Sequence, residues 1–129
     1  MFRDQPIETI EASALAALQL KRLQATVRRV ARRVPFYRQK FAEFGVKPSH
    51  IRSLADVRRL PFTTNSDLRA TYPDGMLALP KEDTLRLHTS SGTTGKPKAL
   101  FFSARDIDNA ATLMARCLVM TGVTRRDVF

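Results

Sequence analysis

The residues best suited to chemistry lie together in a nine-residue segment, Ser90-Ser91-Gly92-Thr93-Thr94-Gly95-Lys96-Pro97-Lys98. Four hydroxyl side chains, two glycines and two lysines fall within it. Glycine lets a backbone curl and bring its amides close to an anion, hydroxyls add hydrogen-bond donors, and lysines add positive charge. The composition predicts a polyphosphate-binding loop, although composition alone suits a plain flexible loop equally well.

The spacing of this segment differs from that of a Walker A loop. A Walker loop has four residues between its glycines and a Ser or Thr after its Lys. Here two residues separate Gly92 from Gly95, and Pro97 follows Lys96. The segment also lies between two predicted strands, whereas a Walker loop leads into a helix.

The elements that position the loop are a strand on either side of it. Leu85 and Leu87 alternate with polar neighbours, which predicts a half-buried strand. Residues 99–102 form the second predicted strand. His88 adjoins the loop, and we expect it to pack on its neighbours rather than to act in catalysis.

A long helix is predicted after the second strand. Ser103 and Asp106 have the spacing of a capping box, and Gly122 is placed to end the helix after about Thr121. Cys117 falls on the apolar side of this helix, which predicts a buried, inert thiol. Residues 127–129 are read as the beginning of a further strand.

The first 80 residues are predicted to be helical. Residues 8–34 form one long helix whose apolar face comprises Leu20, Leu23, Val27, Val30 and Val34. Pro35 ends this helix, and shorter helices follow at 35–44, 54–60 and 66–69. Gly45 suits the end of the second helix. The predicted fold class is α+β, with a mainly helical region (1–80) and a strand–glycine loop–strand unit with one long helix (81–129).

Composition limits the classes of function. The chain has 129 residues, a net charge of +10, one cysteine and two histidines. An intrachain disulfide is therefore excluded, and we expect no protein-held metal site. No apolar run approaches the roughly 20 residues needed to span a bilayer, so we expect no membrane association and a cytoplasmic protein.

The positive charge leaves two other classes of function open. The first 60 residues carry 13 Lys and Arg against five Asp and Glu. A basic helical module at residues 20–40 that binds nucleic acid would explain this excess. We do not favour it, because aromatic residues are not interleaved with the basic ones. The second of these alternatives is a non-catalytic interaction subunit that forms a homodimer through exposed apolar surface.

The loop resembles the phosphate-loop signature of the adenylate-forming superfamily, which includes the acyl-CoA synthetases. Several upstream segments are similar to the N-terminal region of phenylacetate–CoA ligases: residues 18–27, 34–38, 60–64 and 67–69, and the spacing from Tyr72, Pro73 and Gly75 to the loop. The resemblance covers residues 13–129. Departures at Asn65, Asp74, Lys98 and Ala99 leave open which acid is used, whether an aryl acid such as phenylacetate or a deazaflavin coenzyme.

The resemblance implies a truncated piece of the large N-terminal domain of an AMP-forming carboxylic acid:CoA ligase. Such ligases use ATP, Mg²⁺ and coenzyme A together with a carboxylic acid. It implies that Ser90, Ser91, Thr93, Thr94 and the amides near Gly92 and Gly95 hold the ATP phosphates, with charge from Lys96 and Lys98. The catalytic residues would lie beyond Phe129, so we expect this chain alone to be inactive.

Overall fold

The computed structural model describes residues 4–90 and 97–128. These residues form five α-helices, a two-stranded antiparallel sheet and three short 3-10 helices, which confirms the predicted mainly helical α+β class. The division at residue 80 stays a prediction. The elements are α1 (Gln5–Glu8), α2 (Ala12–Arg33), α3 (Pro35–Glu43), α4 (Asn65–Ala70), β1 (Thr84–Thr89), β2 (Ala99–Ser103) and α5 (Ala104–Met120), with 3-10 helices at Pro48–His50, Leu54–Arg59 and Lys81–Asp83.

The first predicted helix is interrupted near its start. Instead of one helix over residues 8–34, the single turn α1 is followed by α2, which begins at Ala12. Glu11 adopts an extended ψ of 143°, so the chain leaves helical geometry before α2 begins. Two β-branched residues, Thr9 and Ile10, precede it, and such residues lose side-chain freedom in a helix.

The turn from α2 to α3 is made at Val34. Its backbone is extended (φ −113°, ψ 107°), as expected for a residue that precedes proline. Pro35 is the first residue of α3, a position where its missing amide hydrogen costs nothing. Pro35 therefore ends one helix and begins the next, as the sequence predicts.

Glycine ends both α3 and α5 through the same hydrogen-bond pattern. Gly45 has φ +62°, and its amide donates to the Ala42 carbonyl while the Val46 amide donates to Phe41. These are the two bonds of a Schellman motif, which requires a left-handed residue at this position. Gly122 (φ +90°) ends α5 with the corresponding pair, so both predicted helix ends are confirmed.

The core is formed by the N-terminal part of the chain. Its buried residues are Val27, Val34, Phe41, Val46 and Ile51. Leu20, Leu23 and Val30 of the predicted apolar face of α2 pack against this cluster. The Gln24 side-chain amide donates to the Ile51 carbonyl at 2.9 Å and so fixes the 3-10 segment against α2.

Two side-chain contacts hold residues 61–70 against α3. The Lys40 ammonium lies 2.6 Å from the Asp67 carboxylate, and both side chains are largely covered. The Tyr37 hydroxyl hydrogen-bonds to that of Thr63 at 2.8 Å. Asp67 also accepts from the Thr64 amide in a capping box at the start of α4. One carboxylate thus caps a helix and ties it to its neighbour.

The hairpin and α5 expose the faces that the sequence predicts to be covered. Leu85 and Leu87 are 65% and 52% exposed, so the prediction of a half-buried β1 is wrong for this chain. Cys117 is exposed, and the prediction of a buried thiol is wrong as well. The hairpin face and the α5 face are exposed for the same reason. Within the described residues, no second layer of structure packs on either of them.

The prediction of a strand at the end of the chain is wrong for Asp127 and Val128, which follow a turn at Arg125 and Arg126 and have no regular secondary structure. The Asp127 carboxylate accepts hydrogen bonds from the amide and the hydroxyl of Thr124, at 2.6 and 2.9 Å. Such local bonds from Asp satisfy the backbone without a strand partner. Phe129 lies outside the described residues.

The accessible surface is large for the mass. The chain exposes 10003 Å², whereas a compact monomer of 14.6 kDa exposes about 6,900 Å². Large exposed apolar side chains on the hairpin and α5 contribute to the difference: Leu85, Leu87, Leu100, Leu113, Met114 and Met120. No described helix has both the length and the apolar character needed to cross a bilayer.

Truncating Ile51 tests the position of the core. Ile51 is 2% exposed, so Ile51→Ala should lower the free energy of unfolding by about 2–5 kcal/mol. Urea denaturation followed by circular dichroism measures this change. Phe62 is 90% exposed, so Phe62→Ala serves as the control and should have little effect. Equal losses in the two variants would contradict this location of the core.

Acid should weaken the contact between α3 and α4. Hydrogen bonds from the Lys40 ammonium and the Thr64 amide lower the pKa of Asp67. Because the folded-state pKa lies below the unfolded value of about 3.9, the stabilisation is complete above that value. It is lost as pH falls through the folded-state pKa.

The test measures the urea concentration at the midpoint of unfolding at several pH values between about pH 6 and pH 2. We expect this midpoint to fall within that range as the stabilisation from Asp67 is lost. Asp67→Asn should lower the midpoint at pH 6 and flatten its pH dependence. Asp108→Asn, an exposed position on α5, is the control and should follow the parent curve. If the urea midpoint depended on pH in the same way in the parent and in Asp67→Asn, the stabilising role of the Asp67 carboxylate would be contradicted.

Candidate phosphate-binding site

The predicted phosphate loop joins the two strands of the hairpin. Strands β1 and β2 are antiparallel, and Thr89 lies opposite Ala99 where the strands meet the loop. Thr84 lies opposite Ser103 at the far end, with an irregularity in register between Thr84 and Arg86. The predicted strand–loop–strand unit is therefore present, and the loop spans residues 90–98.

A reciprocal pair of hydrogen bonds closes the base of the loop. The Ser90 amide donates to the Lys98 carbonyl at 3.1 Å, and the Lys98 amide donates to the Ser90 hydroxyl oxygen at 2.9 Å. Residues 91–96 lie outside the described residues, so the geometry of six of the predicted site residues is not given: Ser91, Gly92, Thr93, Thr94, Gly95 and Lys96. The closure brings the two ends of the loop together.

Ser90 and Lys98, the two described residues of the predicted site, retain groups that can bind an anion. The Ser90 hydroxyl accepts the Lys98 amide, and a hydroxyl has one hydrogen of its own left to donate. The Lys98 side chain is half-buried and forms no ion pair with any residue in the described ranges. A hydroxyl donor and an uncompensated ammonium group at the base of the loop suit a phosphate ligand.

His88 lies on the hairpin but is engaged in packing. Its ring lies 4.8 Å from the Phe102 ring, with an angle of 50° between the planes. The contact joins the two strands two residues before the loop, which confirms the expectation that His88 packs on its neighbours. It gives the residue a structural role that needs no catalytic function.

The far end of the hairpin is joined directly to α5. Ser103 caps the helix, because its hydroxyl oxygen accepts the Asp106 amide while its own amide and hydroxyl donate to the Asp106 carboxylate. The hydrogen bond from the Ser103 hydroxyl, followed by one from its amide, lowers the pKa of Asp106. Arg29 of α2 contributes a further electrostatic lowering of this pKa. Strand and helix are thus fixed to each other at one residue.

A second feature was not predicted from the sequence. Four arginines of α2 (Arg28, Arg29, Arg32 and Arg33) line one side of an 840 Å³ cleft. Residues 78–80, Asp83 and Ser103 line the other side. We call this feature the arginine cleft. The spacing of the arginines at i and i+4 was visible in the sequence. The opposite wall comes from residues distant in sequence, so no local pattern revealed the cleft.

Across residues 4–90 and 97–128, no three His, Cys, Asp or Glu side chains lie close enough together to hold a metal ion.

No family model matches this chain. Individual curated relatives, however, match almost all of it. The phenylacetate–coenzyme A ligase of Aromatoleum evansii is 47% identical over 124 residues, which is 96% of this chain and 28% of that enzyme. The enzyme of the same name from Escherichia coli K12 is 45% identical over 122 residues, again 28% of its length. The chain thus spans a little over a quarter of these relatives.

Solved structures agree with the sequence comparison. A crystal structure of 2-hydroxyisobutyryl-CoA ligase in complex with 2-HIB-AMP and CoA superposes with a TM-score of 0.81 at 32% identity. The match covers 89% of this chain and 25% of that one. The mainly helical region and the hairpin thus have counterparts in an acid–CoA ligase. By sequence and by fold, the chain belongs to the phenylacetate–CoA ligase family, whose members it matches over their N-terminal portion.

Proposed function

We propose that this chain supplies the ATP phosphate-binding loop of an AMP-forming carboxylic acid:CoA ligase. The observation that carries the proposal is the 47% identity to a phenylacetate–coenzyme A ligase over 96% of the chain. The hairpin supports it, because Ser90 and Lys98 close a loop whose composition suits a polyphosphate. An aryl acid such as phenylacetate is the proposed substrate.

The proposed reaction has two steps. A carboxylate oxygen of the acid attacks the α-phosphorus of ATP, the bond to the β-phosphate oxygen breaks, and pyrophosphate leaves. The thiol of coenzyme A, on losing its proton, then attacks the acyl carbonyl carbon, and AMP leaves with the electron pair of the broken C–O bond. Negative charge is redistributed over the phosphates in the first step, so fixed donors and cations lower that barrier.

In this proposal the loop residues hold the β- and γ-phosphates of ATP. The hydroxyls of Ser90, Ser91, Thr93 and Thr94 donate hydrogen bonds, as do the amides around Gly92 and Gly95. Lys96 and Lys98 balance the phosphate charge. Mg²⁺ would bind through the phosphate oxygens and neutralise part of their charge. An enzyme that consumes ATP and coenzyme A works where both are available, and we therefore also propose a cytoplasmic location.

The proposed activity is tested by ATP–pyrophosphate exchange with a panel of aryl and alkyl acids. We expect the full-length gene product to catalyse exchange and the 129-residue chain alone to give none, because the chain spans only 28% of its relatives. In the full-length protein, Gly92→Val with Gly95→Val should lower exchange about 100-fold or more, because the loop could no longer bring its amides to the phosphates. Thr112→Val, exposed on α5, is the control and should retain exchange.

Exchange by the isolated chain would contradict the role of this segment as one part of a site. Exchange by the glycine variant at the parent rate would show that the loop is not the phosphate site. Absence of exchange by the full-length protein with every acid would contradict the proposed reaction itself.

The exposed face of α5 supports a second proposal, which concerns self-association of the isolated chain. Leu113 and Met114 are 58% and 60% exposed, and contiguous apolar surface of this kind promotes association. We therefore propose that the 129-residue chain forms a homodimer when no other polypeptide covers this face.

Sizing chromatography with light scattering tests association. We expect the chain to elute as a dimer or larger species, and Leu113→Lys with Met114→Lys to release monomers by placing charge in the apolar contact. Phe62→Lys is the control and should leave the species associated, because Phe62 lies in the connector before α4 rather than on α5. A monomeric parent at high protein concentration would refute this proposal.

A further inference from the structure

Among the described residues, the four guanidinium groups of the arginine cleft have no acidic partner within 4 Å. Ion pairs shorter than 4 Å join Lys40 to Asp67, Arg59 to Asp56, Lys81 to Asp74 and Arg116 to Glu8. None of these involves α2. The Asp83 carboxylate lies in the wall of the cleft, and the Asp106 carboxylate interacts electrostatically with Arg29 without forming an ion pair with it. Four arginines therefore line the cleft together with one carboxylate, that of Asp83.

Repulsion among the four arginines destabilises α2 when no anion lies between them. Arg28 and Arg32 lie four residues apart, as do Arg29 and Arg33, and like charges at that spacing destabilise a helix. The negative end of the helix dipole offsets the repulsion for Arg32 and Arg33 in the last turn of α2. The helix dipole offsets the repulsion much less at Arg28 and Arg29, which lie one turn earlier. An anion between the two walls would compensate all four.

The cleft is separate from the glycine loop. Its far wall is formed where the chain enters β1 and where β2 ends at Ser103. The loop adjoins the opposite end of both strands, at Thr89 and Ala99. Four residues of extended strand from Ala99 to Ser103 correspond to about 14 Å. The base of the loop, at Ser90 and Lys98, therefore lies at the opposite end of the hairpin from these arginines.

We propose that the arginine cleft is a second phosphate-binding site, which takes the phosphate groups of a nucleotide-bearing small molecule. Its volume of 840 Å³ is in the range of ligand sites, and guanidinium groups bind phosphate oxygens in a bidentate manner. Two sources share this chemistry: coenzyme A and a second molecule of ATP. Coenzyme A carries its phosphates at one end of a long arm and its thiol at the other. Its assignment as the source rests on the proposed function.

Binding of coenzyme A, ATP and inorganic pyrophosphate to the full-length gene product, measured by titration calorimetry, tests the proposal. Arg28→Gln with Arg32→Gln should weaken the cleft ligand about tenfold or more, since two charged contacts are lost. Gln has a helix propensity close to that of Arg, so α2 should be retained. Arg29→Gln with Arg33→Gln provides an independent variant. The control is Arg52→Gln with Arg125→Gln, which removes the same charge from exposed positions outside the cleft and should change the dissociation constant less than about twofold.

The results separate the two sources. A loss confined to coenzyme A identifies it as the ligand. A loss of ATP binding that remains measurable when Gly92→Val and Gly95→Val disable the loop identifies a second nucleotide. Either result, or a selective loss of pyrophosphate binding, supports the second phosphate site.

Other results overturn the proposal. They are the absence of binding by any of the three phosphate probes to the parent, or equal losses in the cleft and control variants. Selective loss of duplex DNA binding, with no effect on the three probes, would instead favour a nucleic-acid surface. ATP–pyrophosphate exchange needs no coenzyme A, so failure of the proposed acid activation and failure of the cleft are observed in separate assays.

Discussion

The restriction that proline places on the residue before it determines much of this structure. Val34 is fully buried and extended, so α3 folds back across α2 instead of continuing it. Phe41 then reaches the apolar face of α2 near Val27. The Schellman turn at Gly45 reverses the chain again and brings Val46 and Ile51 to the same cluster. Two local backbone constraints thus assemble the core.

The hairpin depends on a different kind of constraint. Its strands are joined at the loop by the Ser90–Lys98 closure and at the other end by the Ser103 cap of α5. In the closure, the hydroxyl of Ser90, a residue of the predicted site, is a structural acceptor, and this fixes the distance between the loop ends. The cap makes β2 and α5 continuous at one residue. The two ends of the hairpin are consequently fixed by hydrogen bonds that involve serine side chains at both ends.

Local signals in the sequence predicted the elements well. Proline at 35, glycine at 45 and 122, and the capping pair Ser103–Asp106 each act within a few residues, and each marks a helix end in the structure. Exposure could not be predicted in the same way, because it depends on what packs on a face. Cys117 and Leu87 have apolar periodicity typical of a covered face, yet within the described residues nothing covers them. The arginine cleft was missed for a related reason, since residues 78–83 lie some 50 positions from α2 in the sequence.

The uneven distribution of buried residues has a consequence for how the chain acquires its structure. All five buried core residues lie between positions 27 and 51, so the contacts that stabilise them close short loops. The hairpin and α5 contain no buried residue within the described ranges, and their backbone amides should exchange hydrogen with solvent at a much lower opening free energy. The predicted phosphate loop thus joins the two strands of the part of the chain that has the fewer buried residues.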